Sequence, residues 1–281
     1  MSSIVNKKDI ITAFKQLGIQ TTDTIIVHSS FKSFGIVDGG AETVIDGIKQ
    51  VVSDGTIVFP ALRSRNFYDA YTDWDVDKTP SDVGYLTEFF RKSQNVYRSN
   101  QETHSVCAFG KNAKFLTENH GKGKNRIGVF GDTPFSISSP WQKMFDLDAK
   151  VVMIGVSMSS NTFMHFVEYK LVNDIIDSIK DEEIKQEAIS KITRFKDIAK
   201  FYLDGAVAPC PAGVWPWHDD EEAQRRLEKM GKLKQTTCGN STIISFRAKT
   251  YVDYLYNSLL NHPKEWLSEN AINWINTYKT K

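Results

Sequence analysis

The feature that most limits how this chain can fold is the repeated alternation of short apolar runs with amphipathic helical segments. Residues 24–28 (Thr-Ile-Ile-Val-His) and 56–59 are short, rich in β-branched side chains and bounded by polar or turn residues, which is the pattern of buried strands. Between them, residues 41–52 place Val44, Ile45, Ile48 and Val52 on one helical face. A further run, 150–156, is apolar enough to be buried on both faces of a sheet. Helices are expected over 7–17, 83–92 and 140–145, and an extended segment over 105–109. Strands alternating with helices bury their apolar faces as an α/β structure, here a layered α/β/α core with a mixed central sheet. That core takes up about residues 1–172 of a single domain spanning 1–281.

The remainder reads differently. Residues 174–201 are rich in Lys, Glu and Ile at helical spacing, with Ile179, Ile184, Ile189 and Ile192 turned inward and the charges in water. Pro209, Pro211, Gly213 and Pro216 mark a loop, followed by a helix near 221–230, two strands within 234–246 and a helical tail. This smaller C-terminal α+β portion is expected to pack on the core as a lid or a dimer surface.

Composition removes several function classes. A formal net charge of +1, with Lys and Arg scattered along the chain, gives no polyanion-binding stripe, so no nucleic-acid role is expected. The N-terminal residues lack the unbroken apolar run of a signal peptide and no later segment is long and apolar enough to cross a bilayer, so a cytoplasmic protein without membrane attachment is expected. Cys107, Cys210 and Cys238 are far apart and not at metal-ligand spacing, which predicts reduced thiols and no metal site.

Three constellations carry chemistry. The first is His28-Ser29-Ser30-Phe31-Lys32-Ser33, followed by Gly39-Gly40-Ala41-Glu42-Thr43 at a helix start. Hydroxyls, glycines and free helix N-terminal amides suit a phosphate, although the segment has neither the Walker pattern nor G-x-G-x-x-G, and an ordinary capped turn fits it equally well. The second is Thr162-Phe163-Met164-His165-Phe166-Val167-Glu168. On a helix, His165 and Glu168 share a face, so a carboxylate can orient an imidazole that accepts a proton; a simple surface pair has the same spacing. The third is Thr103-His104-Ser105-Val106-Cys107, a polar approach to a strand, in which the apolar flanks of Cys107 predict a buried, inert thiol. Gly155-Val156-Ser157-Met158-Ser159 nearly spells a serine-hydrolase elbow, with His218 and His262 further on, but lacks the final glycine and an upstream oxyanion segment.

Taken in order, these motifs resemble the aminoglycoside 3-N-acetyltransferase family, also called the antibiotic N-acetyltransferases, and not the GNAT acetyltransferases. The similarity runs through Val27-His28-Ser29-Ser30, Gly39-Gly40-Ala41, Gly55-Thr56, Thr79-Pro80-Ser81 with Glu88 and Arg91, Arg98-Ser99, Thr103-His104-Ser105, Asp132 with Pro134-Phe135, Ser139-Pro140, and Thr162 with His165 and Glu168-Tyr169. The resemblance implies direct transfer from acetyl-CoA (coenzyme A) to a small-molecule amine in a ternary complex, with no acyl-enzyme. It implies His165 as general base with Glu168 as its partner, and Thr162 or a backbone amide at the oxyanion. His28, Ser29, Ser30, Ser33, Gly39, Gly40 and Thr43, with His104 and Ser105, are the implied cofactor-binding positions.

The chain departs from the family's pattern at Gln101-Glu102, where relatives place His-Pro, and in the charged segment after Tyr169, where they place an aromatic-arginine segment. The acceptor is therefore expected to be an aminoglycoside or related amino sugar, with a nucleotide-linked amino sugar of a surface-polysaccharide pathway as the alternative. Asp69, Asp73, Asp75, Asp77 or the run 219–222 would serve a polycationic acceptor, or else simply face water. A non-catalytic CoA or nucleotide binder and a serine hydrolase are the more distant alternatives.

Overall fold

The apolar run at the start of the chain becomes β1 (Thr24–Ser29), the middle strand of a seven-stranded sheet ordered β3-β4-β2-β1-β5-β7-β6. The structure, a computed structural model, describes residues 4–63, 73–195 and 213–279. β1 runs parallel to both β2 (Thr56–Pro60) and β5 (Lys150–Ile154). On one side β4 (Val106–Gly110) is antiparallel to β2 and carries the short edge strand β3 (Tyr97–Arg98). On the other, β7 (Ser241–Arg247) is antiparallel to β5 and carries β6 (Lys234–Cys238).

Because side chains alternate along a strand, the central strands feed two separate apolar layers. Ile25, Val27, Ile57, Phe59, Val152 and Ile154 point to the layer built with α1 (Lys7–Gln16), α2 (Gly40–Val51) and α3 (Tyr85–Arg91). Ile26, Val58, Val151 and Met153 point to the opposite layer, which also contains α5 (Pro140–Asp146) and α6 (Phe163–Ser178). The short helix α4 (Ala113–Thr117) closes that layer beside β4. The expected three-layer α/β/α arrangement is thus the observed one.

Two expectations change. The charged stretch is not one helix: α6 already runs to Ser178, and the Asp181 side chain then accepts the Glu183 and Ile184 amides to start α7 (Glu182–Ser190). Ile179 and Ile192 are buried as expected, while Ile184 and Ile189 pack partly buried against the same layer.

The C-terminal portion packs on the core as expected, and it does so by joining the central sheet and not as a lid. β7 pairs with β5 from Lys150↔Arg247 to Ile154↔Ile243 and so extends the central sheet. Helices α8 (Asp220–Lys229), α9 (Ala248–Asn261) and α10 (Glu269–Tyr278) supply Leu227, Tyr251, Leu255, Trp274 and Tyr278 to the α6 layer. β6, with lysine, glutamine and threonines, has the polarity of an exposed sheet edge, which blunts pairing with other chains.

If β7 belongs to the core, Ile243→Ala should lower unfolding free energy by about 2–5 kcal/mol within one cooperative transition. A loss under about 1 kcal/mol in a urea titration would mean that the strand is peripheral.

Candidate active site

The sheet topology itself dictates where a ligand binds. From β1 the chain moves to β2 on one side, whereas β5 lies on the other, so the connections diverge at the C-terminal end of β1 and leave a crevice there. A cleft of about 600 Å³ occupies this place. Its walls are the ends of the three parallel strands and the segments that follow them: His28 to Lys32 at the end of β1 and beyond, Pro60 and Leu62 at the end of β2 and beyond, and Val156, Ser159 and Ser160 after β5. Asp82, Gly84 and Tyr85 form another side, and His104, Thr162 and His165 line the cleft as well.

The first turn of α6 brings an imidazole and a carboxylate to this cleft. Thr162 is the N-cap residue, and the His165 amide donates to its carbonyl at 3.1 Å. One turn along, His165 Nδ1 lies 3.0 Å from Glu168 Oε2. Nδ1–H donates to that carboxylate, which leaves the lone pair on Nε2. Glu168 is fully buried, and the Trp215 indole Nε1–H donates to the same oxygen at 2.9 Å. A surface pair would have left the carboxylate in water; here only the imidazole, 19% exposed, reaches solvent.

Aromatic rings shield the imidazole. The Phe130, Trp217 and His104 rings lie 4.8, 5.7 and 5.8 Å from that of His165, centroid to centroid. Phe130 is held by Tyr169, whose hydroxyl accepts the Phe130 amide at 2.8 Å and donates to the Gly131 carbonyl at 2.9 Å.

The end of β1 and the loop after it divide into two groups. His28, Ser29 and Ser30 line the cleft; His28 is 4% exposed, and its Nε2 and the Ser29 hydroxyl have no hydrogen-bond partner among the described residues. Burial pushes the His28 pKa down to about 3, so the ring is neutral near pH 7. Ser33, Gly39, Gly40 and Thr43 do not line the cleft. Ser33 donates to the Ser30 carbonyl at 2.6 Å and to Ser241 Oγ at 2.9 Å, which ties the loop to β7. Gly155, at φ +58°, fits against Ser33 where any Cβ would collide with its side chain.

His104 lines the cleft, with Nδ1 2.9 Å from Thr103 Oγ1, whereas the Ser105 hydroxyl is spent on the Ala61 carbonyl at 2.8 Å. Gln101, at the departure from the family's pattern, is 2% exposed; its side-chain oxygen accepts the Thr103 and His104 amides and so fixes the turn that presents His104. Cys107 is fully buried in β4, and burial raises its thiol to about 12, which makes it a poor nucleophile. Ser157 bonds to Ser159 at 2.6 Å, while the buried His218 faces Glu168 and Asp220, so the Ser–His pairing of a hydrolase is not formed.

With this geometry in place the comparisons are decisive at the level of family. Residues 26–259 match the family of aminoglycoside 3-N-acetyltransferases. The chain belongs to this family. Aminoglycoside N(3)-acetyltransferase III of Salmonella sp is 31% identical over 179 residues, which cover 58% of this chain and 59% of that protein. The SPbeta prophage-derived aminoglycoside N(3')-acetyltransferase-like protein YokD of Bacillus subtilis (strain 168) is 29% identical over 186 residues, 59% of this chain and 65% of that protein. The chain thus matches about three fifths of the length of these curated relatives. The fold is shared throughout: the structure of AAC-IIIb in binary complex with CoASH superposes with a TM-score of 0.69 over 95% of this chain and 99% of that one, at 18% identity.

The acids offered by the sequence as a polycation site are largely occupied within this antibiotic N-acetyltransferase fold. Asp75 accepts the Asp77 and Lys78 amides, Asp219 caps α8, Glu222 is paired with Arg225 and Arg226, and Asp220 is buried. Asp69 lies outside the described residues. What the sequence did not reveal is that Trp215, His218, Asp220 and Tyr251, from a loop and two helices far along the chain, stand together behind Glu168. Only the buried positions of the fold bring them together.

Burial leaves its mark on stability. His28 and His120 are pushed down to about 3, and His104 also lies well below its ordinary value. Below about pH 6.5 the unfolded chain protonates these imidazoles and the folded one does not, so the unfolded state binds more protons and stability falls with pH. His218 is shifted the other way, one group against three. The urea midpoint should therefore decline between about pH 7 and about pH 5; a midpoint that rises would contradict this account of the buried rings.

Proposed function

We propose that the chain is a CoA-dependent N-acetyltransferase that moves an acetyl group from acetyl-CoA to an amino group of an aminoglycoside or related amino sugar. The observation that carries this reading is the Glu168-oriented imidazole of His165 on the wall of a cleft at the end of β1. Family membership supplies the reaction class, and the relatives are named for that activity.

His28, Ser29 and Ser30 would hold the thioester arm, since the unpartnered His28 Nε2 and Ser29 hydroxyl suit an amide- and phosphate-bearing ligand. His165 Nε2 accepts the proton that the acceptor's ammonium sheds, which frees the nitrogen lone pair. That nitrogen bonds to the acetyl carbonyl carbon, the carbon–sulfur bond breaks, the proton held by His165 passes to the departing thiolate, and the nitrogen releases its second proton to water as the neutral amide forms. Glu168 stabilises the imidazolium in between, and Thr162 or a neighbouring amide faces the carbonyl oxygen as it gains charge. No acyl-enzyme is needed, in keeping with the inert Cys107 thiol.

One observation favours an acceptor less cationic than an aminoglycoside, such as a nucleotide-linked amino sugar. Among the described residues, the cleft is lined by a single carboxylate, Asp82, and by one ammonium, Lys32.

The test is thiol release from acetyl-CoA in the presence of aminoglycosides and nucleotide-linked amino sugars. At least one amine class should stimulate release, and the class that does identifies the acceptor; release independent of every amine would refute amine transfer. His165→Ala should lower kcat by roughly 100-fold to 10,000-fold with CoA affinity nearly unchanged. An unaltered kcat would remove the base assignment. Replacing Ser30 by tryptophan should weaken CoA more than the acceptor, and the reverse would assign the loop to the acceptor.

A further inference from the structure

The imidazole of His165 is backed by more than one carboxylate. Behind Glu168, His218 Nδ1 lies 3.5 Å from Glu168 Oε1, and His218 Nε2 lies 3.5 Å from Asp220 Oδ1. Nδ1–H also donates to the Pro216 carbonyl at 3.2 Å. The Tyr251 hydroxyl donates to Asp220, and the Trp215 indole donates to Glu168. The side chains of Glu168, His218 and Asp220 are almost wholly shielded from water, at 0%, 0% and 2% exposure.

Unpaired charges are costly at such depth, so each carboxylate of this row needs a partner. Burial by itself would lower the His218 pKa, but the carboxylates of Asp220 and Glu168 outweigh it and hold it above the ordinary value. With His218 protonated between two carboxylates, the buried row keeps one net negative charge. Protonation of His165 cancels that charge. The other groups against the row are neutral: Trp215 and the Tyr251 hydroxyl as donors, and His104, which faces His165 from the turn before β4 and stays deprotonated by burial.

We infer that His218 and Asp220 are positioning residues that form, with Glu168, a buried charge relay holding one compensating negative charge for His165. This rests on the reading of His165 as the base. Without His218, two carboxylates would face the imidazole and make it too strong a base to release its proton. Without Asp220, the two remaining charges would cancel and the imidazolium would lose its counter-charge.

The test is the titration of the histidine rings by NMR in the ligand-free full chain, which needs no substrate and is therefore separable from the outcome of the thiol-release assay. In the unaltered protein, His218 should titrate above a free imidazole; a His218 that titrates below it would overturn the proposal. His218→Gln should move the His165 titration upward by about one pH unit, and Asp220→Asn should move it downward. Shifts of the same sign, or no shift in either folded variant, would overturn it as well, since a merely structural role gives no opposed pair. Should either variant fail to fold, the titration of His218 in the unaltered protein still decides the matter.

Discussion

Everything at the cleft depends on one side chain that the solvent never reaches. Glu168 is an acid on α6 with no exposed surface, so its charge is tolerable only because His165, the Trp215 indole and His218 surround it. That requirement joins distant parts of the chain: α6 supplies the carboxylate, the loop before α8 supplies two of its partners, and α9 supplies the Tyr251 hydroxyl that closes the row at Asp220. The C-terminal third therefore completes the site from behind, and the sheet extension through β7 holds it in register.

The sheet provides the other half of the arrangement. Three parallel strands end together at the divergence beside β1, and their ends, with the segments that follow them, form the cleft walls. The segment that lines the cleft with His28, Ser29 and Ser30 is anchored through Ser33 to Ser241 at the start of β7, so the strand that extends the sheet also supports this wall of the cleft.

Much of this was legible in the sequence because it is local. The apolar runs of β1, β2 and β5 and the one-sided face of α2 are periodic patterns, and the His165–Glu168 pair is a matter of spacing on one helix. How the C-terminal portion joins the core was not legible, for a physical reason. β6 is a polar edge strand and β7 carries serine and threonine, so neither announces that it joins the central sheet. His218 lies about fifty residues from Glu168, and no spacing rule links them; only folding reveals that a proline-punctuated loop passes behind the base. The glycine pair 39–40 fits a phosphate cradle and a capped turn equally well in the sequence, and its helix start does not line the cleft.

The account's central claim is that the imidazole edge of His165 faces the sulfur of the acyl donor. A crystal structure of the chain with CoA tests it most directly. The thiol should lie in the cleft beyond β1, within about 4 Å of His165 Nε2 or one bridging water away. A thiol bound on the other face of the sheet, or separated from His165 by the aromatic wall of Phe130 and Trp217, would contradict it.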